Sequence, residues 1–151
     1  MSGILVIGIG HPYRGDDGVG PMVAERLAAT GVNAVAHHGE GAELMELWQG
    51  LERVVVVDAT SGGGAPGTVR AWDAVAEKLP AALFPKGSHL FGLAEAVEMS
   101  RLLGRLPGGM MVLGVEGRHF AMGAPMSPEV AAAAERLVAG LSSDSEGLFL
   151  P

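Results

Sequence analysis

The chain has 151 residues, a formal net charge of −7 and no clustered basic stripe, so it is sized for one domain and lacks the footprint a nucleic-acid partner requires. Hydrophobic residues make up 48% of it and cysteine is absent. There is therefore material for a core, no thiolate nucleophile, thiolate metal site or disulfide, and a composition that fits a reducing compartment. No leader pattern opens the chain and its strongly apolar runs are strand-sized; no membrane association and a cytoplasmic location are expected.

Residues 3–9 read as a short buried strand, and Val19, Met22, Val23 and Leu27 then fall at helical spacing over 19–30. Between them lies Gly8-Ile9-Gly10-His11-Pro12-Tyr13-Arg14-Gly15-Asp16-Asp17-Gly18-Val19-Gly20, a glycine-rich strand-to-helix loop ending in paired acids. Gly31 is placed to cap the helix. A second strand is predicted over 32–38, a turn at 39–41 and a short helix over 42–48. Arg53 to Asp58 carries four consecutive valines, the pattern of a central parallel strand buried on both faces. The glycine-rich loop 59–67 and an edge strand over 68–72 follow. Residues 74–87 are interrupted by Pro80, Pro85 and Gly87 and receive no assignment. Ser88 is the expected N-cap of a helix over 90–103, with Glu95, Glu98, Arg101 and Arg105 on its polar face. The fifth strand is expected over 110–116. Ser127-Pro128 opens the last helix, with Val130, Ala134, Leu137 and Leu141 inward. A single domain is expected over 1–141, followed by a flexible tail over 142–151. Strands alternating with helices predict a three-layer α/β/α sandwich.

In such a sheet ligands bind at the carboxyl ends of the strands. Asp17 leaves strand one and Asp58 ends the valine strand, so the two carboxylates meet if those strands are neighbours. His89 comes from a third loop. Two carboxylates and an imidazole make a site for a divalent ion, and mixed oxygen and nitrogen donors suit nickel, zinc, cobalt or iron better than calcium or magnesium. One of Asp16 and Asp17 can cap the first helix while the other faces the site. His37 and His38 are placed at a strand end without a role. His119 lies either near the site or on the surface, and the methionines are read as core filler. The third glycine of a dinucleotide fingerprint would stand where Tyr13 is; a P-loop and a Gly-x-Ser-x-Gly elbow are absent.

The glycine loop with its double Asp, Val56-Val57-Asp58-Ala59-Thr60, Ser88-His89, Leu113-Gly114-Val115-Glu116 and Met126-Ser127-Pro128 occur in this order. Together they resemble the nickel-iron hydrogenase maturation proteases, over residues 3 to about 140. The resemblance implies a five-stranded, mostly parallel mixed sheet with one antiparallel strand. It implies a hydrolase, an endopeptidase that removes the C-terminal extension of the hydrogenase large-subunit precursor after nickel insertion. It implies that Asp17, Asp58 and His89 are the catalytic and nickel-binding residues and that the nickel arrives on the precursor; a monomer is expected, though the sequence does not identify the oligomeric state. His11 stands where relatives commonly have Asn, Gly117 where many have Pro, and the 39–42 segment departs from the usual threonine-containing loop. A non-catalytic nickel-sensing binding protein or assembly chaperone would use the same three ligands. A divalent-metal phosphohydrolase is a third reading of paired aspartates at strand ends.

Overall fold

The computed structural model describes residues 4–85 and 89–143. The valine strand sits where its composition demands. It is β3 (Arg53–Thr60), with Val54 to Val57 buried on both faces between parallel neighbours β1 (Ile4–Ile9) and β5 (Gly109–Glu116). β2 (Ala34–His37) pairs parallel with β1 at one edge. β4 (Val69–Asp73) pairs antiparallel with β5 at the other. The sheet order is β2-β1-β3-β5-β4. This is the expected α/β sandwich with a five-stranded, mostly parallel mixed sheet.

Period-two alternation assigns each strand's side chains to opposite faces. Ile7, Val54, Val56 and Val112 point toward α2 (Gly41–Trp48) and α3 (Leu93–Leu102). Val6, Val55, Val57, Leu113 and Val115 point toward α1 (Val19–Ala29) and α4 (Pro128–Ser143). α1 lies unusually close to β1, because a Cβ at Gly20 would strike the Ile9 backbone and the Val57 carbonyl. That close approach is what the loop's last glycine is for. In the other core layer Trp48 is fully buried and donates its indole N–H to Ser100 Oγ at 3.1 Å. Ser100→Ala leaves that donor unsatisfied, and chemical denaturation should show a loss of about 1–2 kcal/mol.

Some expectations change: β3 runs on to Thr60, so the loop expected to begin at Ala59 starts after it. A 3₁₀ turn over Gly15–Gly18 precedes α1, so the paired acids occupy their own turn of helix. The helix expected over 90–103 starts at Leu93: Gly92 is extended at φ −110°, ψ −157°, and Glu95 accepts the Gly92 N–H at 3.1 Å. Ser88, the expected cap, lies outside the described residues, as does most of the 142–151 tail. Residues 89–91 are held instead by α2, whose Gly41 N–H donates to the Phe91 carbonyl at 2.8 Å. A Cβ at Gly41 would run into the Phe91 ring, so the glycine permits this docking.

Candidate functional site

The chain leaves β1 for α1 and β2 on one side, and β3 lies on the other, so the sheet has its switch point between β1 and β3. A cleft of about 600 Å³ opens there, lined by His11, Arg14, Asp17, His38, Asp58 and His89 among others. Asp17 reaches it from the 3₁₀ turn and accepts the His11 N–H on Oδ2 at 2.8 Å. Burial pushes its carboxyl above the usual range, against the His11 amide and the nearby charges of His11 and Arg14. Asp58, only 4% exposed, accepts the Ala59 N–H on Oδ1 at 2.8 Å. Its carboxyl is pushed well up, first by burial and then by the negative charge of Asp17. The two acids therefore share one space, and the Asp17 charge disfavours ionisation of Asp58.

Asp16 has a different task. It is fully buried and accepts four hydrogen bonds: Arg118 N–H at 2.7 Å, His119 N–H at 3.1 Å, Ser127 N–H at 2.7 Å and Ser127 O–H at 2.8 Å. Burial alone would raise its carboxyl, but these donors outweigh it and hold it below the usual range. Its own N–H donates to the His119 carbonyl at 2.8 Å. Asp16 thus ties the 3₁₀ turn to the loop between β5 and α4, and His119 serves through its backbone, outside the cleft lining. Glu116, 1% exposed, likewise accepts Thr60 O–H at 2.8 Å and the Gly62 and Gly64 N–H groups at 2.8 and 3.2 Å. That organises the loop leaving β3. His11 lines the cleft with an exposed ring whose Nδ1 accepts the Tyr13 N–H at 3.2 Å.

His89, half-buried, lines the same cleft from a segment before α3. Its Nε2 lies 3.2 Å from the His38 carbonyl and 3.4 Å from His38 Nδ1. Asp17, Asp58 and His89 thus line one cleft without their donor atoms converging as a closed trio. Among the described residues, the group whose donor atoms all lie within 4.8 Å of one another is His37, His38 and Glu43. His37 and His38 carried no role in the sequence reading. The signal was available: adjacent histidines end a strand at the carboxyl edge of a parallel sheet.

The sequence profile described as hydrogenase maturation protease matches residues 30–143, three quarters of the chain. This chain belongs to the hydrogenase maturation protease family. The matched stretch takes in Asp58 and His89 and begins after the glycine loop that carries Asp17. The hydrogenase expression/formation protein HupD from Rhodobacter capsulatus is 28% identical over 120 residues, covering 75% of this chain and 56% of its own length. The chain thus spans little more than half of that relative. Among solved structures, the hydrogenase maturating endopeptidase HybD from E. coli aligns with a TM-score of 0.76 at 25% identity, over 95% of this chain and 93% of its own. The endopeptidase HycI from Escherichia coli aligns at 0.70 with 26% identity, over 99% and 96%. Among the described residues no helix is long and apolar enough to cross a membrane.

Proposed function

We propose that this protein is the endopeptidase that removes the C-terminal extension of a nickel-iron hydrogenase large-subunit precursor once nickel has been inserted. The observation that carries this reading is the pairing of Asp17 with Asp58 in one cleft. Both carboxyls are raised, and each becomes easier to ionise when a cation enters between them. Nickel held by the precursor is that cation and belongs to the substrate. Asp17, Asp58 and His89 recognise it, so the precursor seats only when loaded. The chemistry of the donors fits: two carboxylate oxygens and an imidazole nitrogen suit a late first-row divalent ion. The protein acts in the cytoplasm, as a monomer, where the precursor is assembled.

The test incubates nickel-loaded and nickel-free precursor with the protein and follows precursor mass. Loss of the extension from the loaded form only, abolished in Asp17→Ala, is the expected result. Cleavage of both forms removes the nickel checkpoint. A nickel-dependent complex without any mass change returns the protein to an assembly chaperone.

A further inference from the structure

We infer that His38 is a metal ligand alongside His89, oriented by Glu43, so that the cleft wall offers the precursor's nickel a pair of imidazoles. This deepens the proposed function and rests on it for the identity of the ion.

The hydrogen-bond pattern assigns the nitrogens. His38 Nε2 lies 2.9 Å from Glu43 Oε1. A carboxylate only accepts, so a neutral His38 carries its proton on Nε2 and its lone pair on Nδ1. That lone pair faces His89 Nε2 at 3.4 Å. Glu43, His38 and the open nitrogen thus repeat the arrangement in which a carboxylate fixes the tautomer and basicity of a metal-bound imidazole. His89 Nε2, between the His38 carbonyl and His38 Nδ1, carries the proton in the metal-free protein. To bind an ion there, His89 would carry its proton on Nδ1 instead, leaving the Nε2 lone pair free. The two nitrogens, 3.4 Å apart, are close enough that one divalent ion would touch both.

His37 belongs to the same cluster but has no lone pair to give. Its Nδ1 accepts the Gly39 N–H at 2.9 Å, which puts its proton on Nε2, 3.2 Å from Glu43 Oε1. Its ring stacks on that of His38, with centroids 4.5 Å apart and planes 15° apart, and so limits how His38 can turn. Local sequence builds the support: Glu40 caps α2 by accepting the Glu43 N–H at 2.9 Å, and the helix start is docked through Gly41 on Phe91, two residues from His89. His38 and Glu43 are each more than half exposed as side chains, so both tolerate substitution without loss of the fold.

The experiment titrates Ni²⁺ into untagged, metal-free protein by calorimetry, with Co²⁺ absorption as a second readout of nitrogen ligation. His38→Ala should weaken binding at least 10-fold and change the Co²⁺ ligand-field bands, as should His89→Ala. Glu43→Gln should weaken it by about 10-fold while keeping the bands, as an outer-shell orienting partner does. His37→Ala should stay within a few-fold of the wild type. Wild-type affinity in His38→Ala overturns the proposal. So does a loss in His37→Ala as large as that in His38→Ala, which would make His37, His38 and Glu43 a separate site. No Ni²⁺ binding by the wild type up to millimolar concentration overturns it as well. These readouts need no precursor, so the ligand assignment can stand while the processing assay fails, and the reverse.

Discussion

Asp16→Asn should cost about 4 kcal/mol of folding stability at neutral pH, because an amide cannot serve four donors aimed at a carboxylate. The Asp16 oxygens accept three backbone N–H groups and the Ser127 hydroxyl in a site closed to water. Asparagine keeps one acceptor oxygen and turns an NH₂ toward donors that need a partner. Hydrogen bonds to a charged group contribute about 1.5–3 kcal/mol each, and a buried donor left without its acceptor adds its desolvation cost. For a chain of this size the melting temperature should fall by on the order of 10 °C. The pH dependence has a definite sign. Asp16 is held below its ordinary value of 3.8 in the folded state. Its contribution is therefore complete above that value and disappears as pH falls through the depressed folded value. The gap between wild type and Asp16→Asn should be widest at neutral pH and narrow on acidification below about pH 4. Denaturant titrations across that range measure it; a gap under about 1 kcal/mol at pH 7 would mean these bonds do not hold the loop. The variant should also process precursor poorly, since Asp17 rides on the same 3₁₀ turn.

Asp58→Asn should do the opposite to stability and still abolish processing. Asp58 is buried, faces Asp17 and has its carboxyl raised well above the ordinary 3.8. A group raised in the folded state adds no cost below its unfolded value. The cost grows as pH rises from there toward the folded value. Replacing it with a neutral near-isostere removes the cost and keeps an oxygen for the Ala59 N–H. In chelator-treated protein the gain should be about 1 kcal/mol at pH 7, typical of relieving a functional site's stored strain. It should vanish near pH 4. Processing should be lost, because asparagine is a poor ligand for a divalent ion. A clearly lower melt at pH 7 for the metal-free variant would show that Asp58 is held as a structural carboxylate, as Asp16 is. Two aspartates in one small protein thus carry opposite predicted signs, one surrounded by donors and the other by apolar surface and a like charge.

Much of this architecture is local and was legible in the sequence. Four valines in a row bury both faces of β3, and Ser127-Pro128 opens α4. The glycine loop marks the close approach of α1 to β1. Those signals are short-range: burial on two faces, a missing N–H at a helix start, room for a backbone. The pairing of Asp17 with Asp58 was accessible because parallel strands converge at their carboxyl ends. Other features depend on residues far apart in the chain. Asp16 and Asp17 are chemically identical neighbours, and only partners 102–111 residues away make one a structural tie while the other faces the cleft. The start of α3 moved from 90 to 93 because the 89–92 segment bonds to α2 rather than continuing a helix. His38 and Glu43 acquire a chemical role only when that docking sets them against His89, 51 residues from His38. Local side chains dictate which elements form and which end of the sheet carries the acids, since both follow from neighbouring residues. Tertiary structure decided which acid, which histidine and which nitrogen face the cleft, because a hydrogen-bond partner or a like charge acts through distance in space and leaves no trace in local spacing.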